Sequence, residues 1–306
     1  MRRVLLLSVL IAACSRTVAR APAGVAYDPA LTQVVMLGTG TPNPDPAHSG
    51  PALAIVIHGA AYLVDAGPGV VRRAAAAERA GVAALAQPNL RIVFITHLHS
   101  DHTLGLPDLI FSPWVLQRRA PLDVYGPPGI AAMTDHLERA YAEDVRIRTT
   151  GGQPHTDSGY VARAHEIDSG VVYRDSNVTV TAFRVDHGGV RDAFGYRFVT
   201  RDRTIVVSGD TRPTDAVVTQ CHGCDVLVHE VYSLQAWRTL PPEWQRYHAI
   251  AHTAGADLGR LAARAGPKLL ILTHGLAWTA TPEEIVGEVR RHFAGRVVYA
   301  NDLDVY

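Results

Sequence analysis

The seven residues from Thr96 to His102, Thr-His-Leu-His-Ser-Asp-His, place three imidazoles and one carboxylate in a short loop. The loop follows the apolar segment 91–95, which is typical of a buried strand. Side chains at a strand end repeat with a period of two, so His97 and His99 can point the same way. The acid and the third histidine then fall on the adjacent turn and can face a second ion. The pattern predicts the start of two metal sites about 3.5–4 Å apart, the spacing used in two-metal hydrolysis.

A polar surface loop with scattered histidines is the alternative interpretation, because the chain contains 15 His. Four ligand-type residues within six positions, directly behind a strand, favour the metal site over that alternative.

Composition describes a globular chain with ample core. Of its 306 residues, 47% are hydrophobic and 19% are charged. The 29 Lys and Arg balance the 29 Asp and Glu, so the formal net charge is zero. No global field therefore favours nucleic acid as a partner.

The N-terminus reads as a targeting segment. A basic start, Met1-Arg-Arg3, precedes the short apolar stretch Val4 to Ala13. This stretch is too short to span a bilayer and suits a signal peptide. Leu10-Ile-Ala-Ala-Cys14 resembles a bacterial lipobox, and cleavage near Ala21 to Gly24 is the alternative. We predict a signal segment over residues 1–24, a hydrolase domain over 25–306, and a periplasmic or cell-envelope location with Cys14 as a potential lipid anchor.

Two further cysteines, Cys221 and Cys224, form the sequence Cys-His-Gly-Cys. A local disulfide would be compatible with an oxidising compartment. A zinc pair is a weaker alternative, since no second cysteine pair exists. The preferred interpretation is two small structural residues leading into a strand.

The order of elements predicts an α/β chain. Two strand-rich halves with interspersed helices indicate two sheets sandwiched between helices in one domain. The polar, Gly-rich stretch Arg146 to Asp168 is expected to be irregular.

Other ligand-type residues follow predicted strands. His187 comes after the strand 179–185, Asp210 after 204–208 and His274 after 269–273. Each one alone could be a turn-capping acid or a satisfied loop histidine. Strand ends can converge on one edge of a sandwich, so the three residues can complete a site for two ions.

Together with His-x-His-x-Asp-His, these residues resemble the metallo-β-lactamase superfamily, and within it the ribonuclease Z branch with its arylsulfatase-like and phosphodiesterase relatives. The supporting motifs are Val124-Tyr-Gly-Pro127 with Gly129, Asp186-His-Gly188 with Phe194-Gly-Tyr196, Ser208-Gly-Asp-Thr211 and Val228-His-Glu-Val231. The resemblance implies a four-layer αββα sandwich.

The resemblance also implies ligand roles. One ion would be held by His97, His99 and His187, the second by Asp101, His102 and His274, and Asp210 would bridge both. Asp65 would be a carboxylate that orients a ligand imidazole. Two Zn²⁺ are expected, and Mn²⁺ or Fe²⁺ could replace them.

Three residues are implied in catalysis: Asp101, Glu230 and His252. A hydroxide bridging the two metals would attack the ester, and Asp101 could accept its proton. Glu230 and His252 match a paired acid and histidine that contacts the scissile group. His248 competes for the histidine role, and an exposed histidine at a helix start is the plain alternative for either.

The sequence lacks features that are expected of enzymes that process transfer RNA. Ribonuclease Z enzymes that process transfer RNA carry an arm between the Gly-Tyr strand and the Ser-Gly-Asp-Thr loop, and here only residues 200–204 join them. The loop 43–48 also lacks basic residues. Together with the zero net charge and the predicted export, these features argue against nucleic acid as a partner. They favour an exported hydrolase of small phosphodiesters or sulfate esters.

The alternatives are a lactonase- or β-lactamase-like ester or amide hydrolase, a ribonuclease Z-type endonuclease, and a lipoprotein that only binds metal. A homodimer is compatible with the resemblance.

Aromatic residues beside the ligands could stack on an aryl or nucleobase group, although core packing is the alternative for each one. The candidates are Phe111, Trp114, Tyr232, Trp237, Trp244 and Trp278.

Overall fold

The computed structural model describes residues 26–306, which form two β-sheets packed face to face between helices. The predicted signal segment, with the lipobox ending at Cys14, lies outside the described residues. Within residues 26–306, no helix combines the length and the apolar character needed to cross a bilayer.

The first sheet has six strands in the order of the chain. The first three are antiparallel and the last four are parallel, with the third strand common to both groups. The strands are β1 (Gln33–Gly38), β2 (Ala52–Ile57), β3 (Ala60–Val64), β4 (Ile92–Phe94), β5 (Leu122–Gly126) and β6 (Ala162–Glu166).

The second sheet has seven strands and repeats this plan. Its first four strands are antiparallel and its last four are parallel, with the fourth strand common to both groups. They are β7 (Gly170–Arg174), β8 (Val178–Arg184), β9 (Phe194–Thr200), β10 (Thr204–Val207), β11 (Val226–Tyr232), β12 (Leu269–Leu276) and β13 (Arg296–Tyr299).

Ten α-helices connect or follow these strands in the described part of the chain. They are α1 (Val70–Arg79), α2 (Ser100–Thr103), α3 (Leu106–Val115), α4 (Ile130–Ala140), α5 (Ala142–Thr150), α6 (Asp215–Cys221), α7 (Leu234–Trp237), α8 (Pro242–Ala251), α9 (Gly255–Ala265) and α10 (Pro282–Arg290).

Three apolar layers hold the sheets and helices together. Alternate residues of β1 point to opposite faces, so Val34 packs between the two sheets while Val35 packs against α1 and α3. Leu270 of β12 packs outward against α6, α9 and α10. Both faces of the central strands are buried, which explains their continuous apolar sequences. The four-layer αββα sandwich and the single domain predicted from the sequence are confirmed.

Two sequence expectations are resolved by the fold. The stretch expected to be irregular contains the end of α5 and the edge strand β6, which pairs with β5. No residue of α5 is buried, so its sequence lacks the apolar stripe that would have revealed the helix. Cys221 and Cys224 form a disulfide, which is the alternative that the sequence left open.

Candidate metal centre and active site

The histidine-rich loop lies at the carboxyl end of β4. Thr96 begins the loop, and α2 starts at Ser100, so Asp101 and His102 occupy the first turn of a short helix. His97, Asp101 and His102 are buried. The loop therefore turns its polar side chains inward, which contradicts the alternative of a polar surface loop.

Three imidazoles converge at one end of this loop. His97 Nε2 lies 3.0 Å from His99 Nδ1, and the same Nδ1 lies 3.2 Å from His187 Nε2. His187 comes from the second sheet, where it follows β8. Three ring nitrogens that face one common point form a donor set suited to one divalent ion.

A second set lies beside the first. His274 Nε2 is 3.2 Å from Asp101 Oδ2, and His102 Nε2 is 3.5 Å from the same oxygen. The ligand atoms of Asp101, His102 and His274 all lie within 4.8 Å of one another. The combination of one carboxylate and two imidazoles is again suited to a divalent ion.

Asp210 lies between the two sets. Its Oδ1 is 3.5 Å from His102 Nε2, whereas its Oδ2 is 3.5 Å from His274 Nε2 and 3.9 Å from His187 Nε2. It follows β10 on the turn made by Gly209, whose φ of 62° a residue with a side chain rarely adopts. One carboxylate thus reaches both sets, as the bridging role requires.

Three of the ring nitrogens that face away from these sets have partners, whereas His274 Nδ1 has none among the described residues. His102 Nδ1 lies 2.8 Å from Asp65 Oδ2, and His187 Nδ1 lies 2.7 Å from the carbonyl oxygen of Ala251. His97 Nδ1 lies 3.0 Å from the hydroxyl of Thr96. Such contacts fix the ring orientation and leave the opposite nitrogen for an ion.

The backbone has unusual positive φ angles at two residues of the site, His274 and Asp65. His274 lies within β12, not after it, at a bulge where the pairing with β11 shifts, and its φ is +46°. Asp65, just beyond β3, has a φ of +61°. Positive φ is rare outside glycine, and bulges commonly re-aim a side chain beside an active site. The sequence predicted Asp65 at a strand end correctly but predicted His274 after its strand, and it did not indicate the positive φ of either residue.

The donor set fits divalent metal ions. His102 Nε2 is buried and has no hydrogen-bond partner among the described residues, although it faces Asp101 and Asp210. Burial would lower the pKa of His102, yet Asp210 and Asp65 raise it well above its usual value. Burial would raise the pKa of Asp210, but His274 and His102 hold it well below. A cation between these groups would satisfy both the nitrogen and the carboxylate.

Glu230 and His252 stand beside Asp210. His252 Nδ1 lies 3.4 Å from Glu230 Oε1 and 3.9 Å from Asp210 Oδ2. Glu230 Oε1 also accepts hydrogen bonds from the amides of Thr253 and Thr211. Both acid and histidine are buried, which contradicts the alternative of an exposed histidine. The structure therefore brings together every candidate catalytic and metal-binding residue named from the sequence.

Comparison with known proteins decides the family. Residues 61–275 match the family described as "Beta-lactamase superfamily domain". The chain belongs to the metallo-β-lactamase superfamily. Proteins of this fold bind divalent metals, typically zinc, which agrees with the donor set above.

Relatives within the superfamily share most of the chain. Ribonuclease Z of Mycobacterium bovis (strain BCG / Pasteur 1173P2) is 31% identical over 278 residues, covering 89% of this chain and 97% of the relative. Ribonuclease Z of Mycobacterium sp. (strain KMS) is 33% identical over 256 residues, covering 83% and 87%.

Solved structures agree on the fold. The metallo-beta-lactamase fold protein YhfI from Bacillus subtilis has a TM-score of 0.66 at 18% identity, covering 90% of this chain and 98% of its own. The short form of human tRNase Z has a TM-score of 0.65 at 24% identity, with the same coverage. At these identities the likeness shows the fold alone.

These relatives correct one expectation. The sequence analysis argued against nucleic acid, but the curated relatives named above are ribonucleases Z that match over most of their length. The ribonuclease Z-type alternative is therefore better supported than the exported hydrolase of small esters. The missing arm, the loop 43–48 without basic residues and the zero net charge concern how a large RNA is held, and the predicted export concerns where the protein is found. None of these features concerns the hydrolytic centre.

The metallo-β-lactamase site opens into a cavity of about 730 Å³, within the range of small-molecule sites. One side, which we call the ligand wall, consists of His99, Asp101, Asp210 and His274. The facing side, which we call the aromatic wall, consists of Trp244, Tyr247, His248 and Trp278.

Only two of the six aromatic candidates line this cavity, Trp244 and Trp278. Trp114 is buried in the apolar core with its ring centroid 5.2 Å from that of Tyr160, and Phe111 lines a separate surface depression. Tyr232 and Trp237 pack in a small apolar cluster behind the aromatic wall. Tyr247 was missed by the sequence analysis, although it stands three residues after Trp244 on one helix face and five before His252.

Proposed function

We propose that this metallo-β-lactamase hydrolase is a metal-dependent phosphodiesterase of the ribonuclease Z type, with RNA as its first substrate to be tested. The observation that carries the proposal is the complete donor set, paired with Glu230 and His252, beside one cavity that several of these residues line. The ribonuclease Z relatives support phosphodiester bonds over other esters.

The proposed ligand sets are those of the sequence analysis, with Asp210 shared between two ions. When bound, divalent zinc lowers the pKa of water toward neutrality and neutralises charge on a phosphoryl group. Burial raises the pKa of Asp101, but the hydrogen bond from His274 and the charge of His102 outweigh it and lower that pKa. Asp101 is therefore ionised at neutral pH and can accept a proton from attacking water.

His252 is proposed to contact the substrate. Burial lowers its pKa to about 4, so the imidazole is neutral at pH 7. Its Nδ1 faces Glu230 Oε1 at 3.4 Å and Asp210 Oδ2 at 3.9 Å without a hydrogen bond to any described residue. We assign the single proton of the neutral ring to Nε2, which can then donate a hydrogen bond to a phosphoryl or leaving oxygen. His248 has no contact with either carboxylate, so the geometry favours His252 over its competitor.

A second candidate is the hydrolysis of small aryl phosphodiesters or sulfate esters. The three residues Arg201–Arg203 join β9 to β10, so the fold has no arm at that connection. No lysine or arginine of the described chain lines the cavity, so the cavity offers no cationic side chain to track an RNA backbone. Both observations favour a small substrate over a long RNA.

A substrate panel tests the proposal. The full chain, with its metal content measured, would be assayed on an RNA with a 3′ trailer, an aryl phosphodiester, an aryl sulfate, a lactone and a β-lactam. An Asp210→Ala preparation controls for contaminating nuclease. We expect metal-dependent cleavage of the RNA or the phosphodiester that the control lacks. Exclusive turnover of the lactone or the β-lactam would overturn the phosphodiesterase proposal.

Export and lipidation stay predictions of the N-terminal sequence. The Cys221–Cys224 disulfide supports an oxidising compartment, because the cytosol keeps most thiols reduced. Mass spectrometry of the membrane fraction would test the anchor, and a mature N-terminus other than lipidated Cys14 would contradict it. Size-exclusion chromatography with light scattering would test the homodimer.

A further inference from the structure

The aromatic wall places large rings on the cavity lining, and one of them, Trp278, also packs against the apolar cluster around Tyr232. Trp244 and Tyr247 are 52% and 40% exposed, yet both line the cavity. They stand three residues apart on α8, with His248 one position further, so all three share one helix face. An exposed aromatic surface inside a concave site is the kind of surface that binds ligands.

The rings form a connected row. The ring centroid of His248 lies 5.8 Å from that of Trp244, with the planes at 24°, and 5.0 Å from that of Trp278. The ring centroid of Tyr247 lies 6.0 Å from that of His252, beside the ligand wall. Asp210 adds to burial in raising the pKa of Tyr247, which agrees with this proximity. The row thus reaches from the mouth of the cavity to the reacting centre.

Hydrogen bonds tie the start of α8, which carries three of these rings, to the preceding segment of the chain. Trp237 Nε1 donates a 3.0 Å hydrogen bond to the carbonyl of Gln245, and Gln245 Nε2 donates a 2.8 Å hydrogen bond to the carbonyl of Leu240. Trp278 has a φ of +49°, a conformation that costs free energy for a bulky residue. Strain of this kind persists where the structure over-determines a side-chain position, often at a ligand site.

From these observations we propose that the aromatic wall is a stacking subsite for a flat ring attached next to the scissile phosphate. No lysine or arginine of the described chain is on the lining, and outside the metal ligands and the aromatic wall it consists of Pro42, Asn43, Leu240, Pro241, His252 and Leu276. The rings of the aromatic wall are therefore the groups of the lining that best suit a flat ring. The ring can come from a nucleobase at an RNA end or from an aryl ester, because both present the same π face. This inference rests on the proposed function for the position of the phosphate.

Binding without turnover tests the subsite directly. Adenosine 5′-monophosphate and ribose 5-phosphate carry the same sugar phosphate and differ only in the base. Stacking should make the nucleotide bind about 5- to 150-fold more tightly to the full, metal-containing chain, measured by isothermal titration calorimetry. Equal dissociation constants would overturn the proposal. Because no bond is cleaved, this result is independent of whether the proposed hydrolysis occurs.

Variants of the aromatic wall test whether its rings cause the tighter binding of the nucleotide. Trp244→Ala and Tyr247→Ala should each reduce the ratio of the two dissociation constants several-fold, whereas Tyr247→Phe should retain it because the ring remains. Ile250→Ala is the matched control, since Ile250 is 55% exposed on the same helix and does not line the cavity. Thermal melts by circular dichroism would verify folding. A ratio unchanged in both alanine variants would overturn the assignment.

Phenyl phosphate and methyl phosphate distinguish the two sources of the ring. A preference for phenyl phosphate as well as for the nucleotide would support a general ring subsite. A preference for the nucleotide alone would support the subsite with a nucleobase as its occupant. No preference in either pair would refute it.

Discussion

The ligand wall and the aromatic wall face the same cavity but are built in opposite ways. The ligand wall belongs to a set of polar side chains from the strand ends of both sheets, and hydrogen bonds to Asp65 and to the backbone fix two further rings of that set, His102 and His187. The aromatic wall takes three of its four residues from one helix, and its largest rings stay partly exposed. We expect the ligand wall to take part in hydrolysis and the aromatic wall to determine which ligands bind.

This division has a measurable consequence. A change in the ligand wall should affect every substrate, because all of them need the same reacting centre. A change in the aromatic wall should alter the ratio between ring-bearing and ring-free ligands. The two kinds of variant therefore separate reaction from recognition.

The largest effect is expected for Asp210→Ala. This carboxylate reaches both proposed ion sites, so its loss should remove metal and lower kcat/KM for all substrates together, on the order of 10³-fold or more. Metal per chain by inductively coupled plasma mass spectrometry and kcat/KM would be measured. Asp135→Ala, on the exposed face of α4, is the control and should retain both. Full metal content in Asp210→Ala would contradict the bridging role.

His252→Ala distinguishes a role in catalysis from a role in metal binding within the reacting centre. His252 lies beside Glu230 but outside the proposed ligand sets, so the variant should retain metal while kcat falls roughly 10²-fold. The loss should be similar for ring-bearing and ring-free esters. Unchanged turnover would refute the catalytic assignment, and loss of metal would show instead that His252 is a ligand, as its nearness to Asp210 and His187 allows.

The ligand wall was predictable because its signal is local. Four candidate ligands fall within six residues, and His187, Asp210 and His274 each follow or end an apolar run that reads as a strand. The bulge that turns His274 could not be predicted, because it depends on a register shift between β11 and β12. Such pairing is a tertiary property with no signature in the sequence.

The aromatic wall was only half predictable for a physical reason. Trp244 and Trp278 were named, but the other four aromatic candidates pack elsewhere, because both a core and a cavity favour large rings. α8 itself was not predicted. Pro242 at its first position is a helix-start signal that could have revealed it, and with it the position of Tyr247.

Asp65→Asn tests whether the Asp65 carboxylate orients the imidazole of His102, a proposed metal ligand. Asp65 accepts hydrogen bonds from Thr96 and contacts His102 Nδ1, so it orients a proposed ligand without facing the cavity. The variant should weaken metal affinity about 10- to 100-fold, measured by competition with a chelator. Saturating metal should restore most activity, unlike in Asp210→Ala. Wild-type metal affinity would show that the histidine holds its orientation without this carboxylate.

An effect on stability alone, without a change in the reacting centre, is expected from the residue beside Glu230 on β11. Burial lowers the pKa of His229 to about 4, and its Nε2 has no hydrogen-bond partner among the described residues. The folded state keeps this imidazole neutral, whereas the unfolded chain protonates it near pH 6.5. Its contribution is therefore complete above about pH 6.5 and is lost as the pH falls toward 4, up to roughly 3 kcal/mol.

His229→Asn should make that acid dependence shallower, because Asn can donate a hydrogen bond to the carbonyl of Glu230 without titrating. Urea unfolding at pH 7.5 and pH 5 would measure the loss of stability in each protein. We expect the loss to be about 2 kcal/mol smaller in the variant. Equal losses would place the acid sensitivity in the ligand wall, whose histidines would then be the groups that protonate as metal is released.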